Sequence, residues 1–148
     1  MSERTNPLYS INDFFEDYAA ALERHDSKYM ANCYTLPCIF MSDDSSQVYT
    51  TEAKLEGLIN QGKRFYTLHG ITGAVPDILN KRVITGRIVR VSMRWNYIDK
   101  KSRTVYDCEY YYVLKLDEEN NWKIEVAIPV NEKEKIDELT KKAARKQP

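Results

Sequence analysis

Between residues 87 and 97 the side chains alternate without a break. Val89, Val91, Met93, Trp95 and Tyr97 stand at one parity, with Arg90, Ser92, Arg94 and Asn96 at the other. Successive side chains of an extended chain point to opposite faces, so this segment reads as a strand with one buried and one solvated face. The pattern returns in Tyr106, Cys108, Tyr110, Tyr112, Leu114 and Leu116, and again in Trp122, Ile124, Val126 and Ile128. A turn over 99–102 predicts a hairpin with Trp95 opposite Tyr106 and Arg94 opposite Asp107. That register puts both apolar sets on one face, and a one-residue slip would reverse one of them. A turn over 117–121 leads into the last strand, which Pro129 ends.

An apolar sheet face needs a cover, and the first half of the chain supplies helices. Ile11, Phe14, Phe15, Tyr18, Ala19 and Leu22 recur every three or four residues, leaving Asp13, Glu16, Asp17 and Glu23 outside the stripe. Ser10 is the expected N-cap. The sequence His25-Asp26-Ser27 breaks this helix and caps a short second one carrying Tyr29, Met30, Cys33 and Tyr34, closed by Pro37. A short strand over 38–41, a polar turn over 42–46 and a return strand over 47–50 follow. Thr51 caps a third helix with the stripe Leu55, Leu58, Ile59, Gly62 and Phe65 or Tyr66, where Gly62 suggests close packing against the sheet. Residues 71–79 read as irregular, with Pro76 on an edge or a bulge. Residues 132–145 interleave Lys and Arg with Glu132, Glu134, Asp137 and Glu138, a pattern of a solvated helix with thin apolar patterning at Ile136 and Leu139. Helices first and strands afterwards predict an α+β domain with its helices on one face of a sheet. At 148 residues the chain suits a single domain, 1–148, with a core over about 11–130 and a charged, partly helical tail over 131–148.

Charge and composition exclude several function classes. Lys and Arg total 22, as do Asp and Glu, so no net field recruits nucleic acid or an anionic membrane. The inward parity of the aromatics argues against base stacking. No apolar run approaches the ~20 residues needed to span a bilayer, and the N-terminus lacks the apolar core of a signal peptide. Cys33, Cys38 and Cys108 show no CxxC spacing and read as reduced, buried thiols. The expected setting is therefore soluble and cytoplasmic. Neither metal-ligand spacing nor a phosphate-binding or nucleophile-elbow motif occurs, so neither a metal nor a cofactor is expected.

The run Asp17-Tyr18-Ala19-Ala20-Ala21-Leu22-Glu23-Arg24-His25-Asp26 resembles the end of the first helix of ketosteroid isomerase, in the nuclear-transport-factor-2-like superfamily. There a tyrosine precedes small residues, a leucine and a turn with an aspartate. Residues 29–37, then Ile39-Phe40-Met41-Ser42-Asp43, are similar to its second helix and first strand. The hairpin of 110–116 with Asn121-Trp122-Lys123-Ile124 resembles the closing strands. The likeness covers roughly residues 11–130 and implies a cone: three N-terminal helices on a strongly curved, mixed, mainly antiparallel sheet around an internal pocket. Polyketide cyclases share that architecture. The resemblance places Tyr18 at the oxyanion-hole tyrosine of the isomerase, whose site also has an aspartate base and a protonated aspartate. The base position falls on Ser42, with Asp43 one residue late; the second aspartate falls on Tyr112. One of three elements is kept, which argues against ketosteroid isomerisation itself. Asp43 would face inward only through a bulge.

The candidate catalytic residues are thus Tyr18, His69 and Asp43. His69 enters because it follows the third helix in a segment that borders the pocket in this superfamily, where scytalone dehydratase uses histidine and tyrosine pairs. His25 reads as a surface residue. The candidate ligand-binding residues are Tyr18, Trp95, Tyr97, Tyr110 and Tyr112, whose rings suit a flat apolar ligand and whose polar tips suit one or two of its polar atoms. Three functions fit: binding a small, largely apolar ligand; a cofactor-independent isomerase, dehydratase or cyclase; or a dimeric interaction module with a filled cone. The outer parity, with Ile88, Val105, Tyr111 and Val113 among Arg90, Arg94, Asp107 and Glu109, suggests a homodimer through the outer sheet face.

Overall fold

The protein is described here by a computed structural model covering residues 7–145. Helix α1 (Pro7–Glu23) and the short α2 (Ser27–Asn32) precede strands β1 (Tyr34–Met41) and β2 (Ser46–Tyr49). Helix α3 (Glu52–Leu68) leads into β3 (Gly73–Thr85), β4 (Ile88–Ile98), β5 (Thr104–Leu116) and β6 (Trp122–Pro129), and α4 (Glu132–Arg145) follows. The six strands form one sheet in the order β2-β1-β6-β5-β4-β3. Only β1 and β6 run parallel; every other pair is antiparallel. This is the expected α+β architecture, with helices on a mixed, mainly antiparallel sheet that does not close. No helix among the described residues is long and apolar enough to cross a membrane.

The alternating segments of β4 and β5 behave as their period requires, but on β6 a bulge at Glu125 breaks the alternation, pairing Val126 with Val113 and Ile128 with Tyr111 on the outer face and putting Ala127 inside. Val89, Val91, Met93, Trp95 and Tyr97 on β4, with Tyr106, Cys108, Tyr112 and Leu114 on β5, are buried and face the helices. They meet Ile11, Phe15, Ala19 and Leu22 from α1 and Leu55 and Ile59 from α3 in one core. The three cysteines are free and buried, and loss of hydration raises the Cys33 thiol to about 12 and that of Cys38 to about 11.

The structure corrects several local expectations. The β4–β5 register is displaced by two residues: Trp95 pairs with Cys108, Tyr97 with Tyr106 and Arg94 with Glu109. A shift of two preserves every facing, so the alternation is blind to it. The loop decides it. Asp99 accepts from the backbone N–H groups of Lys101 and Arg103 and from Arg103 Nε, and Asp99 N donates to Arg103 O, which draws Arg103 into the turn. Ser10 lies inside α1 rather than capping it; its hydroxyl accepts from Trp122 Nε1 at 3.0 Å. Tyr34 opens β1 instead of ending α2, whose last residue is Asn32; Pro37 sits within β1, where the pairing to β6 is irregular between Tyr34 and Ile39. Residues 73–85 make one continuous strand, and Pro76 is tolerated because β3 is an edge. A Cβ at Gly62 would meet nothing within 4 Å, so this glycine borders open space and not the sheet.

The segment from residue 132 is a well-formed helix. Val130 N donates to Glu109 O, and Glu109 N donates to Asn131 Oδ1 at 2.8 Å, so the end of β6 is stitched to β5 just before α4 begins. Ile136 and Leu139 then pack against the core. The helix is tethered to the sheet and does not simply project into solvent.

Candidate functional site

An open cavity of about 480 Å³ lies between the helices and the inner sheet face. Tyr18 and Leu22 of α1, Tyr34 and Phe40 of β1, and Tyr49 of β2 form one side; Ile59, Gly62, Phe65 and Tyr66 of α3 form another. Trp95 and Tyr97 of β4, Tyr106 and Tyr110 of β5, and Glu132 and Ile136 of α4 complete the wall. The exposed polar residues Ser42, Ser45, Gln47 and Gln61 also border it. The aromatics are delivered by periodicity: the three-to-four spacing of α1 and α3, and the inward parity of β1, β2, β4 and β5.

The polar tips are held by one another. The Tyr18 and Tyr34 hydroxyls lie 2.9 Å apart, and burial, then the charge of the neighbouring phenol, raises the pKa of Tyr18 well above that of a free phenol. Trp95 Nε1 donates to the Tyr112 hydroxyl at 2.7 Å. Rings stack along the sheet: Tyr97 on Tyr106 with centroids 4.6 Å apart, Tyr66 on Tyr97 at 5.4 Å, and Tyr110 on Tyr112 at 5.3 Å. Offset or stacked aromatic pairs contribute on the order of 1 kcal/mol beyond burial, so these walls are pre-formed.

Glu132 is the one charged side chain on the cavity lining among the described residues. Its carboxylate accepts from the Tyr110 hydroxyl at 2.5 Å and from Cys108 Sγ at 3.8 Å, and Tyr106 adds a further hydrogen bond. Burial raises the Glu132 pKa, while these three donors pull it back down. The same carboxylate helps raise Tyr110 and Cys108, after burial as the larger cause.

Of the residues singled out from the sequence, Tyr18, Trp95, Tyr97 and Tyr110 line the cavity. Tyr112 stands behind them, buried, with its hydroxyl taken by Trp95. His69 is the C-cap of α3, its ring centroid 4.5 Å from that of Phe65, and it does not reach the lining. Asp43 is exposed in the loop between β1 and β2; Ser42, its neighbour of opposite parity, borders the cavity instead. The structure therefore does not bring His69 or Asp43 together with Tyr18. His25 is exposed at the α1–α2 junction with φ 61°. Among the described residues no three His, Cys, Asp or Glu side chains gather as metal ligands.

Sequence reasoning missed Tyr34, Phe40, Tyr49 and Glu132. The signal for Tyr34 was its position three residues before Pro37, where a strand is as good a reading as a helix. For Glu132 the signal was weaker: the first acid after a strand-ending proline, next to an asparagine able to anchor backbone.

A family model described as "NTF2-like protein (DUF6841)" matches residues 6–132. A domain of unknown function with a cystatin-like fold from Nostoc punctiforme is similar, with a TM-score of 0.67 at 15% identity over 88% of this chain and 78% of that one. An NTF-2 like protein of unknown function from Shewanella oneidensis gives 0.66 at 14% identity, over 83% of this chain and 98% of that one. A ketosteroid isomerase-like protein from Erwinia carotovora gives 0.58 at 13% identity, over 87% and 96%. At such identities the likeness is one of fold. No curated protein matches the sequence.

Proposed function

The chain belongs to the NTF2-like family DUF6841, and from that premise we propose that its cavity binds a small, largely apolar molecule. The observation that carries this reading is the cavity itself, about 480 Å³, open between rings that already hold one another in place. Small-molecule sites commonly occupy roughly 300–1,000 Å³ and combine apolar walls with a few polar groups. An interaction module with a filled cone has no use for such a space. The isomerase-like constellation is incomplete, since neither His69 nor Asp43 joins Tyr18 on the cavity lining.

A panel of steroids, flat aromatics and fatty acids tests the proposal by thermal unfolding. A ligand present at 100 times its dissociation constant adds about 2.7 kcal/mol of stability. The control is Gly62→Phe. Open space at the Gly62 Cβ position lets a benzyl group enter the cavity, and loss of a helical glycine favours α3. The expected result is a ligand-dependent shift in the wild type and none in Gly62→Phe, with the unliganded variant still folded. An equal shift in both proteins, or no shift across the panel, overturns the reading.

A further inference from the structure

We propose that the cavity selects a cationic ligand, an amine on an aromatic or apolar body, with its nitrogen on the Glu132 carboxylate. The inference rests on the binding function above and names the chemical class of what is bound.

Glu132 faces the cavity without a cation to neutralise it. The groups turned toward it are Tyr66 from α3, Tyr97 from β4, and Tyr106, Cys108, Tyr110 and Tyr112 from β5, every one uncharged until high pH. The two lysines of its own first turn meet other carboxylates, Lys133 lying 3.8 Å from Asp44 and Lys135 2.9 Å from Asp107. The remaining cations of α4, Lys141, Lys142 and Arg145, lie at its other end. No lysine, arginine or histidine lines the cavity among the described residues. A half-buried carboxylate given only neutral donors has no charge partner within the protein, and a bound cation would supply one. The first turn of α4 favours the anionic form, because helix N-termini attract negative charge.

The surroundings match the same ligand. Tyr66, Tyr97, Tyr106 and Tyr110 put ring surface beside the carboxylate, and aromatic faces attract ammonium groups. Trp95, Phe40 and Tyr49 line the same space, leaving an apolar wall for the body of the molecule. An anionic ligand meets the opposite conditions, with one negative charge already present and nothing positive to offset it.

The test is a matched trio on one ring: 2-naphthylethylamine, 2-naphthylethanol and 2-naphthylacetate, titrated calorimetrically against the wild type and Glu132→Gln. The amine is expected to bind the wild type at least about tenfold more tightly than the alcohol, with the carboxylate weakest. In Glu132→Gln the amine's advantage should vanish while alcohol binding persists, which shows that the variant is folded and its cavity intact. In the wild type the advantage should fade as the pH drops through the titration of Glu132, with alcohol binding flat, a readout that does not depend on any variant. An alcohol that binds as tightly as the amine overturns the cation preference and leaves the binding function standing. An advantage that survives Glu132→Gln, or is unchanged at low pH, overturns the role of Glu132. If none of the three binds and the steroid and fatty-acid panel also fails, both proposals fall.

Discussion

The two faces of β4 and β5 use their polar side chains in opposite ways. On the inner face Val89, Val91, Met93, Trp95 and Tyr97 are at most 4% exposed, and the polar tips among them and their neighbours bond to one another. On the outer face Arg94 meets Glu109 at 3.7 Å with both side chains 40% or more exposed, and Tyr111 is 47% exposed. A neutral hydroxyl or indole N–H can be buried for the cost of finding one partner, whereas a charge requires far more. Glu132 is the exception that connects the two regimes: a carboxylate on the inner side, served by phenol and thiol donors.

The sharpest way to break this contrast is Trp95→Ala, which removes a fully buried ring from the inner face. The expected loss is about 3–5 kcal/mol in urea unfolding. A loss under about 1 kcal/mol would mean that the cavity wall is not part of the core. Tyr112→Phe comes next. It strands the buried indole N–H of Trp95 and should cost about 1–3 kcal/mol, more than Tyr18→Phe, which leaves Tyr34 beside an open cavity. Equal costs would show that the two phenols sit in equivalent surroundings.

The exception makes its own prediction about pH. The folded protein holds the Glu132 proton above the ordinary value of 4.5, so between that value and the raised one the native state binds more protons than the unfolded chain. Stability should therefore fall as pH rises through this window, and Glu132→Gln should flatten that part of the profile. An unchanged slope in the variant would assign the pH dependence to other carboxylates.

The outer face is tested by association and by charge removal. We propose that two copies meet through it, since Tyr111 and Val113 adjoin there, with Val105 farther along β5 and Ile88 at the start of β4, among Arg90, Arg94, Asp107 and Glu109. Light scattering at tens of micromolar should show a dimer for the wild type and a monomer for Tyr111→Lys combined with Val113→Glu; a monomeric wild type ends the idea. The smallest effect belongs to Arg94→Ala, at most about 1 kcal/mol, because its ion pair is solvated. A cost comparable to Tyr112→Phe would erase the distinction between the faces.

Much of this was legible before any coordinates. The period of two assigned each residue of β4 and β5 to its face, the stripe of α1 named the residues that meet them, and Thr51 does cap α3 by accepting from Lys54 N. Those features are local, because they depend only on which way a side chain points from an extended or helical backbone. Three others needed the folded chain. The β4–β5 pairing could move by two residues without disturbing any facing, so the carboxylate of Asp99, which organises the turn, set the register. Tyr34 left the helix for β1, where its O–H reaches Tyr18 across 16 residues of sequence. Glu132 was one acid in a charged run until Asn131 bound Glu109 and fixed the start of α4 beside Tyr110. Side-chain direction follows from backbone periodicity, which a sequence displays; the meeting of residues far apart in the chain depends on register and on tethers between elements, and those come into being only when the sheet and its helices are assembled.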